Sequence, residues 1–190
     1  QVPVDLIEEI ARVYGYNRMP HTLMKDELPL QKATPQWDYI EHVRDLLAQL
    51  GLDEIITYSI ASMREEIDAM GGTEIPASAF VPLRNPLSQE RAHLRRSLLP
   101  GALLTTRQNL RNQHRVAVFE VGSVFHPQEN QILPNEPQRL GLLITGMSDP
   151  FSRFTYNQET RMDFYDLKGI LEALFEGLHL KEVIWKKAKF

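Results

Sequence analysis

Apolar residues recur three and four positions apart in three stretches of the chain, which is the spacing of an amphipathic helix. The spacing predicts helices over 3–14, 35–50 and 163–178, and the first two stop at Gly15 and Gly51. Their inward faces are expected to carry Leu6, Ile7, Ile10 and Val13 in the first helix, Trp37, Ile40, Val43, Leu47 and Leu50 in the second, and Phe164, Leu167, Ile170, Leu171, Leu174 and Leu178 in the third.

Runs of β-branched and aromatic residues lie between these helices and predict strands over 54–60, 115–125, 140–146 and 183–185. Capping signals at Ser62 and Pro100 predict two shorter helices, one ending at Gly71-Gly72 and the other at about Asn112. The polar, proline-containing stretch 126–137 is typical of a hairpin-like loop. This order of elements predicts an α+β fold with a mainly antiparallel sheet flanked by helices.

Composition narrows the class of protein. The 190 residues, 43% of them hydrophobic and 24% charged, suffice for one well-packed domain and part of another. The chain has no cysteine, which rules out disulfides and thiolate sites, and no apolar run long enough to span a bilayer. The net charge of −4 disfavours wholesale binding of nucleic acid. Because no initiator Met precedes residue 1, we expect the chain to begin inside a larger protein.

Three carboxylates, Asp5, Glu8 and Glu9, stand at positions i, i+3 and i+4 of the first predicted helix. Their spacing places them near one face of its first turn. One interpretation is a solvated acidic N-terminus that the helix dipole stabilises, with Glu8 paired to Arg12. The other is a metal site, since oxygen ligands of this kind suit Mg²⁺.

The sequence contains no P-loop, no GxGxxG, no HExxH and no GxSxG, and its six histidines are scattered. A basic cluster, defined here as the Arg91–Arg115 cluster, could contact phosphate. Acidic neighbours such as Glu90 and Glu120 favour a salt-bridged surface instead. The cluster comprises Arg91, His93, Arg95, Arg96, Arg107, Arg111, His114 and Arg115.

Five sequence blocks resemble, in the right order, the beta subunit of phenylalanyl-tRNA synthetase, and the fifth is similar to its bacterial form. Together they extend over the chain from end to end. The blocks are DLIEEIARVYGY at 5–16, GLDEIITYS at 51–59, NPLS at 85–88 with LRRSLLPG at 94–101, VFEVG at 118–122, and DFYDLKG at 163–169.

The resemblance implies three parts: the end of a small helical domain (1–20), a linker or arm (21–34), and a class II synthetase catalytic-like module (35–190) that is incomplete at its C-terminal end. It implies that this module is catalytically degenerate and serves structure and subunit contact. The alpha subunit of an α2β2 heterotetramer would use ATP to join phenylalanine to tRNA in the cytoplasm. We expect residues 35–60 and 85–112 to face that subunit, and we expect no membrane contact.

The same resemblance assigns no catalytic or cofactor-binding residue to the chain. An active class II enzyme would place an arginine after Gly122-Ser123-Val124-Phe125, but His126 stands there. A histidine lacks the permanently charged, bidentate fork that phosphate requires. For the metal, the resemblance implies Mg²⁺ at Asp5, Glu8 and Glu9, with a fourth ligand upstream of residue 1.

Two other functions are open at this point. One is a self-sufficient ligase domain with an unrecognised active site, against which the missing arginine at position 126 argues. The other is a tRNA-binding module that uses the Arg91–Arg115 cluster. Salt-dependent binding of tRNA would favour the second.

Overall fold

A computed structural model describes residues 2–26, 34–86, 88–129, 131–148 and 160–187. The chain divides into two compact units, Gln1–Ala33 and Thr34–Phe190. In the first unit, helix α1 (Pro3–Tyr14) ends where Gly15 adopts a φ of +99°, as the sequence predicts. Among the described residues none of α1 is buried, so Leu6, Ile7, Ile10 and Val13, expected to face inward, are exposed.

The first unit also has a 3-10 turn at Tyr16–Arg18, and the second unit contains the other helices and the strands of the described residues. Their bounds are α2 (Pro35–Gln49), β1 (Asp53–Glu54), β2 (Ile60–Ala61), α3 (Met63–Ala69), β3 (Val81–Pro82), β4 (His93–Leu94), α4 (Leu99–Asn109), β5 (Arg115–Ser123), β6 (Gln138–Gly146) and α5 (Phe164–Gly177). Short 3-10 turns lie at Ala77–Ala79 and Gln89–Arg91.

Two small sheets organise this unit. In the first, β5 is central, with β1 parallel to it on one side and β6 antiparallel on the other. The β5–β6 pairing runs from Arg115↔Gly146 to Ser123↔Gln138. In the second sheet, β4 lies antiparallel between β2 and β3. The predicted α+β fold with mainly antiparallel pairing is therefore confirmed.

The hydrophobic core lies on one face of β5, against α2 and α5. Ala117 and Phe119 of β5 point to this face, and Leu47 of α2 and Leu174 of α5 cover it. Each of these four residues is at most 2% exposed. The period-2 alternation of β5 sends its other face, which includes Glu120 and Gly122, toward α4.

Local capping explains the helix boundaries. Asp163 accepts hydrogen bonds from the backbone N–H groups of Tyr165 (2.7 Å) and Asp166, and the side chain of Asp166 accepts one from Asp163 in return. Ser62 caps α3 by accepting from the Arg64 N–H. Thr34 stands at the N-cap of α2 without a side-chain hydrogen bond, so the start of the helix there rests on Pro35, whose φ suits the first helical position.

The predicted continuous strand over 54–60 is wrong. The chain leaves the first sheet just after Ile55, whose N–H donates to the carbonyl of Phe119 (2.8 Å). It joins the second sheet from Ser59 onward, where the Ser59 carbonyl accepts from the Arg95 N–H (2.9 Å). The high β propensity of this stretch is consistent with its extended backbone, but its partners lie in two different sheets.

Other local expectations also need correction. Residues 183–185 form no strand, and α4 ends at Asn109 rather than Asn112. The strand over 140–146 is half-buried rather than buried, because β6 lies at the edge of its sheet. Trp37 and Phe164, expected to face inward, are 61% and 65% exposed, because each lies in the first turn of its helix and the buried residues of both helices lie in later turns. Within the residues that the structure describes, no helix combines the length and apolar character needed to cross a membrane.

Candidate functional site

The carboxylates of α1 do not converge on a common point. Asp5 Oδ2 accepts a hydrogen bond from the Val2 N–H (2.9 Å) and so closes the N-terminus of the helix. Glu9 pairs with Arg12 at 2.6 Å, which corrects the expected Glu8–Arg12 pair by one position. Over the described ranges, no group of three or more His, Asp or Glu side chains is arranged to hold a metal.

The best-formed polar arrangement in the second unit is a buried clamp, defined here as Thr57, Arg95 and Glu120. Arg95 and Glu120 form an ion pair of 2.6 Å, and their side chains are 7% and 3% exposed. Thr57 donates to Glu120 through its N–H (3.1 Å to Oε1) and through its hydroxyl (2.7 Å to Oε2). Both oxygens of the buried carboxylate are therefore satisfied.

The guanidinium of Arg95 completes the clamp. Its Nη1 also donates to the carbonyl and hydroxyl oxygens of Thr57, at 3.2 and 3.0 Å, and its Nε donates to the carbonyl of Ser123 (2.9 Å). The clamp thus supplies side-chain partners for the backbone of Thr57 at the point where the chain passes between the two sheets. This is the physical reason why the segment needs no strand pairing there.

Two glycines leave the space that the clamp occupies. A Cβ at Gly122 would lie 2.3 Å from Nη2 of Arg95, and a Cβ at Gly101 would lie 2.5 Å from Oγ1 of Thr57. At either distance a side chain could be accommodated only if Arg95 or Thr57 moved out of the clamp. The glycines therefore belong to the arrangement as much as the charged residues do.

Sequence reasoning placed Arg95 and Glu120 in a salt-bridged surface and did not anticipate that the pair would be buried. The signal lies in Val118-Phe119-Glu120-Val121, where a carboxylate interrupts the apolar alternation of a core strand. A buried carboxylate demands a cationic or hydrogen-bonding partner.

A second buried carboxylate orients the start of α4. Glu66, 2% exposed, accepts hydrogen bonds through Oε1 from the N–H groups of Arg96 (2.9 Å) and Ser97 (3.3 Å). Arg95 and Arg96 are consecutive, so one is held through its side chain and the other through its backbone. Glu120, through the Arg95 side chain, and Glu66, through the Arg96 backbone, therefore both hold the turn that precedes α4.

The Arg91–Arg115 cluster is consequently not a continuous cationic surface. Arg95 is buried in the clamp, and the guanidinium of Arg91 lies over the Tyr58 ring at 5.6 Å. Arg115 donates to the carbonyl of Gly51 at 3.2 Å. Arg107 and Arg111 are exposed. Within the described part of the chain, Arg95 is the only member of the cluster with an acidic partner, and that pair is buried instead of lying on the surface.

His126 lies at the end of the hairpin formed by β5 and β6. Its backbone pairs with Asn135 through two hydrogen bonds of 2.9 Å, which confirms the hairpin-like loop. Its side chain lines an open cavity together with Ser78, Arg96 and Glu129.

Apolar side chains are exposed on the segment that the clamp holds. Ile56 and Tyr58 are 88% and 79% exposed, and they flank Thr57, which faces the interior. Trp37, at the start of α2, is 61% exposed. An extended segment that displays large apolar groups on one side is typical of a protein–protein contact.

Comparison with known proteins agrees with this architecture. The family model described as the phenylalanyl tRNA synthetase beta chain CLM domain matches residues 19–189. The chain belongs to this family. It is 39% identical over 184 residues to the phenylalanine–tRNA ligase beta subunit of Moorella thermoacetica, and 36% identical over 183 residues to that of Streptococcus pyogenes serotype M3.

These matches cover 96% and 95% of the chain but 22% of each relative, so the chain spans about a fifth of the length of the curated relatives it matches. Among solved structures, a pyrrolysyl-tRNA synthetase from Desulfitobacterium hafniense aligns with a TM-score of 0.56 at 21% identity. That alignment covers 77% of this chain and 48% of the other. The likeness shows the fold, which is that of a class II synthetase.

Proposed function

We propose that this chain is a non-catalytic structural and subunit-interface module of a phenylalanine–tRNA ligase. Family membership and the class II fold support this function. The observation that carries it is the exposed pair Ile56 and Tyr58 on the clamped segment, because a buried network there holds large apolar side chains that are 88% and 79% exposed.

In this proposal the partner is the alpha subunit of an α2β2 heterotetramer in the cytoplasm, where the alpha subunit uses ATP to attach phenylalanine to tRNA. The two surfaces expected to face it are 35–60 and 85–112. Trp37 and Ile56 of the first surface are exposed, and so are Leu99 and Leu103 of the second at 38% and 41%. Apolar exposure at these positions is what a subunit contact would cover.

The interface is tested by replacing Ile56 with aspartate and measuring the affinity for purified alpha subunit. Burial of an isoleucine side chain is worth about 1.5–3 kcal/mol, so we expect the dissociation constant to rise between about tenfold and a hundredfold. Ile132→Asp is the matched control, because Ile132 is fully exposed outside the proposed surfaces. Both variants should retain the circular dichroism of the parent chain. Equal affinities of the Ile56 and Ile132 variants would refute the placement of the interface.

We also propose that the chain alone does not activate phenylalanine. His126 stands where an active class II enzyme would place an arginine, and its imidazole cannot provide a permanent bidentate charge. Phenylalanine-dependent exchange of pyrophosphate into ATP is expected to be absent with the purified chain. Measurable exchange would contradict the proposal.

For the metal, we propose at most weak Mg²⁺ binding at Asp5, Glu8 and Glu9. The arrangement present does not fit an octahedral ion, because the Asp5 carboxylate caps α1 and the Glu9 carboxylate pairs with Arg12. Titration calorimetry should show no tight, stoichiometric binding. A tight one-to-one isotherm that is lost in Glu8→Gln would show instead that the carboxylates rearrange around the ion.

A further inference from the structure

A cavity of about 320 Å³ lies where the start of α4 meets the β6 strand. Its polar lining residues are Arg96, Ser97 and Arg139, and its apolar ones include Leu98, Val124 and Leu142. Two guanidinium-bearing residues line it, and no carboxylate does. It is distinct from the clamp, whose members do not line it.

Arg96 combines a stacked guanidinium with a buried nitrogen that has no partner among the described residues. Its guanidinium lies over the Phe80 ring at 5.3 Å, while its Nε is buried and has no hydrogen-bond partner among the described residues. The hydrogen bond from its backbone N–H to Glu66 fixes where the side chain begins. Among the described residues no carboxylate lies within 4 Å of this guanidinium, although Arg96 also lines the cavity that contains His126 and Glu129.

Arg139 supplies the second charge. It pairs in register with Gly122, so it lies on the face of the hairpin that packs against α4. Its Nη1 donates to the carbonyl of the adjacent Gln138 at 3.2 Å. Within the ranges that the structure describes, neither Arg96 nor Arg139 makes an ion pair.

Other arginines show that carboxylates are available to pair in this chain. Arg12, Arg44, Arg64 and Arg95 each have an acidic partner within 4 Å. The net charge of −4 also means that acidic residues outnumber basic ones. Two unneutralised guanidiniums beside one partly apolar cavity leave a local positive potential that an anion would balance, and the apolar wall strengthens that attraction.

We propose that Arg96 and Arg139 form a binding site for a small phosphate oxyanion of the pyrophosphate class. Guanidinium forks match the oxygens of phosphate groups, and the cavity volume suits a compact anion. An RNA backbone fits less well, because the exposed Arg107 and Arg111 lie toward the opposite end of α4 and form no row with this pair. The site adjoins the subunit contact proposed above, since Arg96 and Leu99 both line the cavity and both lie within 85–112. Titration of the chain alone tests anion binding without the alpha subunit.

The test is isothermal titration of the full 190-residue chain with pyrophosphate, with inorganic phosphate and a short single-stranded RNA as separate ligands. We expect saturable one-to-one binding of pyrophosphate that weakens as salt is raised. Arg96→Gln and Arg139→Gln should each weaken it about tenfold or more, because each removes charge-assisted hydrogen bonds. Arg107→Gln is the matched control and should leave the affinity unchanged.

If Arg96→Gln disturbs folding, Arg139→Gln still tests the site, because Arg139 is exposed on β6 and its replacement should leave the fold intact. Arg96→Lys retains the charge at the first position and should keep part of the affinity. The proposal is overturned by a lack of saturable pyrophosphate binding, or by equal losses in the Arg107 and Arg139 variants. It is also overturned if the RNA binds through Arg96 and Arg139 while pyrophosphate does not.

Discussion

Replacing Glu120 by alanine is expected to lower the free energy of unfolding of the Thr34–Phe190 unit by about 3–5 kcal/mol. The substitution leaves the guanidinium of Arg95, only 7% exposed, without its carboxylate. It also removes the acceptor of the Thr57 N–H, and an unsatisfied buried donor costs about 1–3 kcal/mol by itself. The loss would be a large part of the roughly 5–15 kcal/mol that stabilises a typical domain.

The measurement is urea denaturation followed by circular dichroism, with the slope against denaturant compared between variants. Glu129→Ala is the control, because Glu129 is exposed and its removal should change stability by no more than about 0.5 kcal/mol. Arg95→Met and the double variant complete a mutant cycle. We expect the double variant to be less destabilised than the sum of the single variants by about 2–3 kcal/mol. Additive losses, or a Glu120→Ala loss below about 1 kcal/mol, would refute the clamp as a coupled unit.

Two further substitutions test local features against matched controls in the same urea titration. Gly122→Ala should destabilise the chain by about 1–3 kcal/mol, because its new Cβ would lie 2.3 Å from Nη2 of Arg95. Its control, Gly169→Ala in the open middle of α5, should stabilise the chain by about 0.5–1 kcal/mol. Asp163→Ala should lower the free energy of unfolding by about 0.5–2 kcal/mol and reduce the helical circular dichroism, because it removes the two hydrogen bonds that the Asp163 side chain accepts. Thr34→Ala should lower it by less, since the Thr34 side chain makes no capping hydrogen bond, and equal decreases for the two variants would contradict this account.

Elements whose signals are local could be predicted from the sequence. The N-terminus of α5 follows from Asp163 and Asp166, and the end of α2 follows from Gly51, because each signal acts within a few residues of the boundary. The β5–β6 hairpin was also predictable, since its two runs of β-branched residues are adjacent in the chain. The family blocks identified the α+β class for the same stretches.

Features that depend on distant partners could not be predicted. The high β propensity of 54–60 gave no sign that the stretch changes sheets, because that change rests on Arg95 and Glu120, 38 and 63 residues away from Thr57. Likewise, a cluster of arginines along the sequence does not separate a buried partner from an exposed one. The exposure of Trp37 could not be predicted from its helical spacing. The spacing shows which face of a helix is apolar, but not how many turns of that face pack against the rest of the protein.

The clamp also has a consequence for how related sequences diverge. Thr57, Arg95 and Glu120 come from three separate parts of the chain, and Gly101 and Gly122 provide the room they need. A substitution of Arg95 in a related sequence would leave the buried Glu120 carboxylate without its ion-pair partner, and Gly122 would no longer need to leave room for the guanidinium. We therefore expect these five positions to covary, either all retained or all replaced. A sequence that changes only one of them should have a lower free energy of unfolding until the other positions also change.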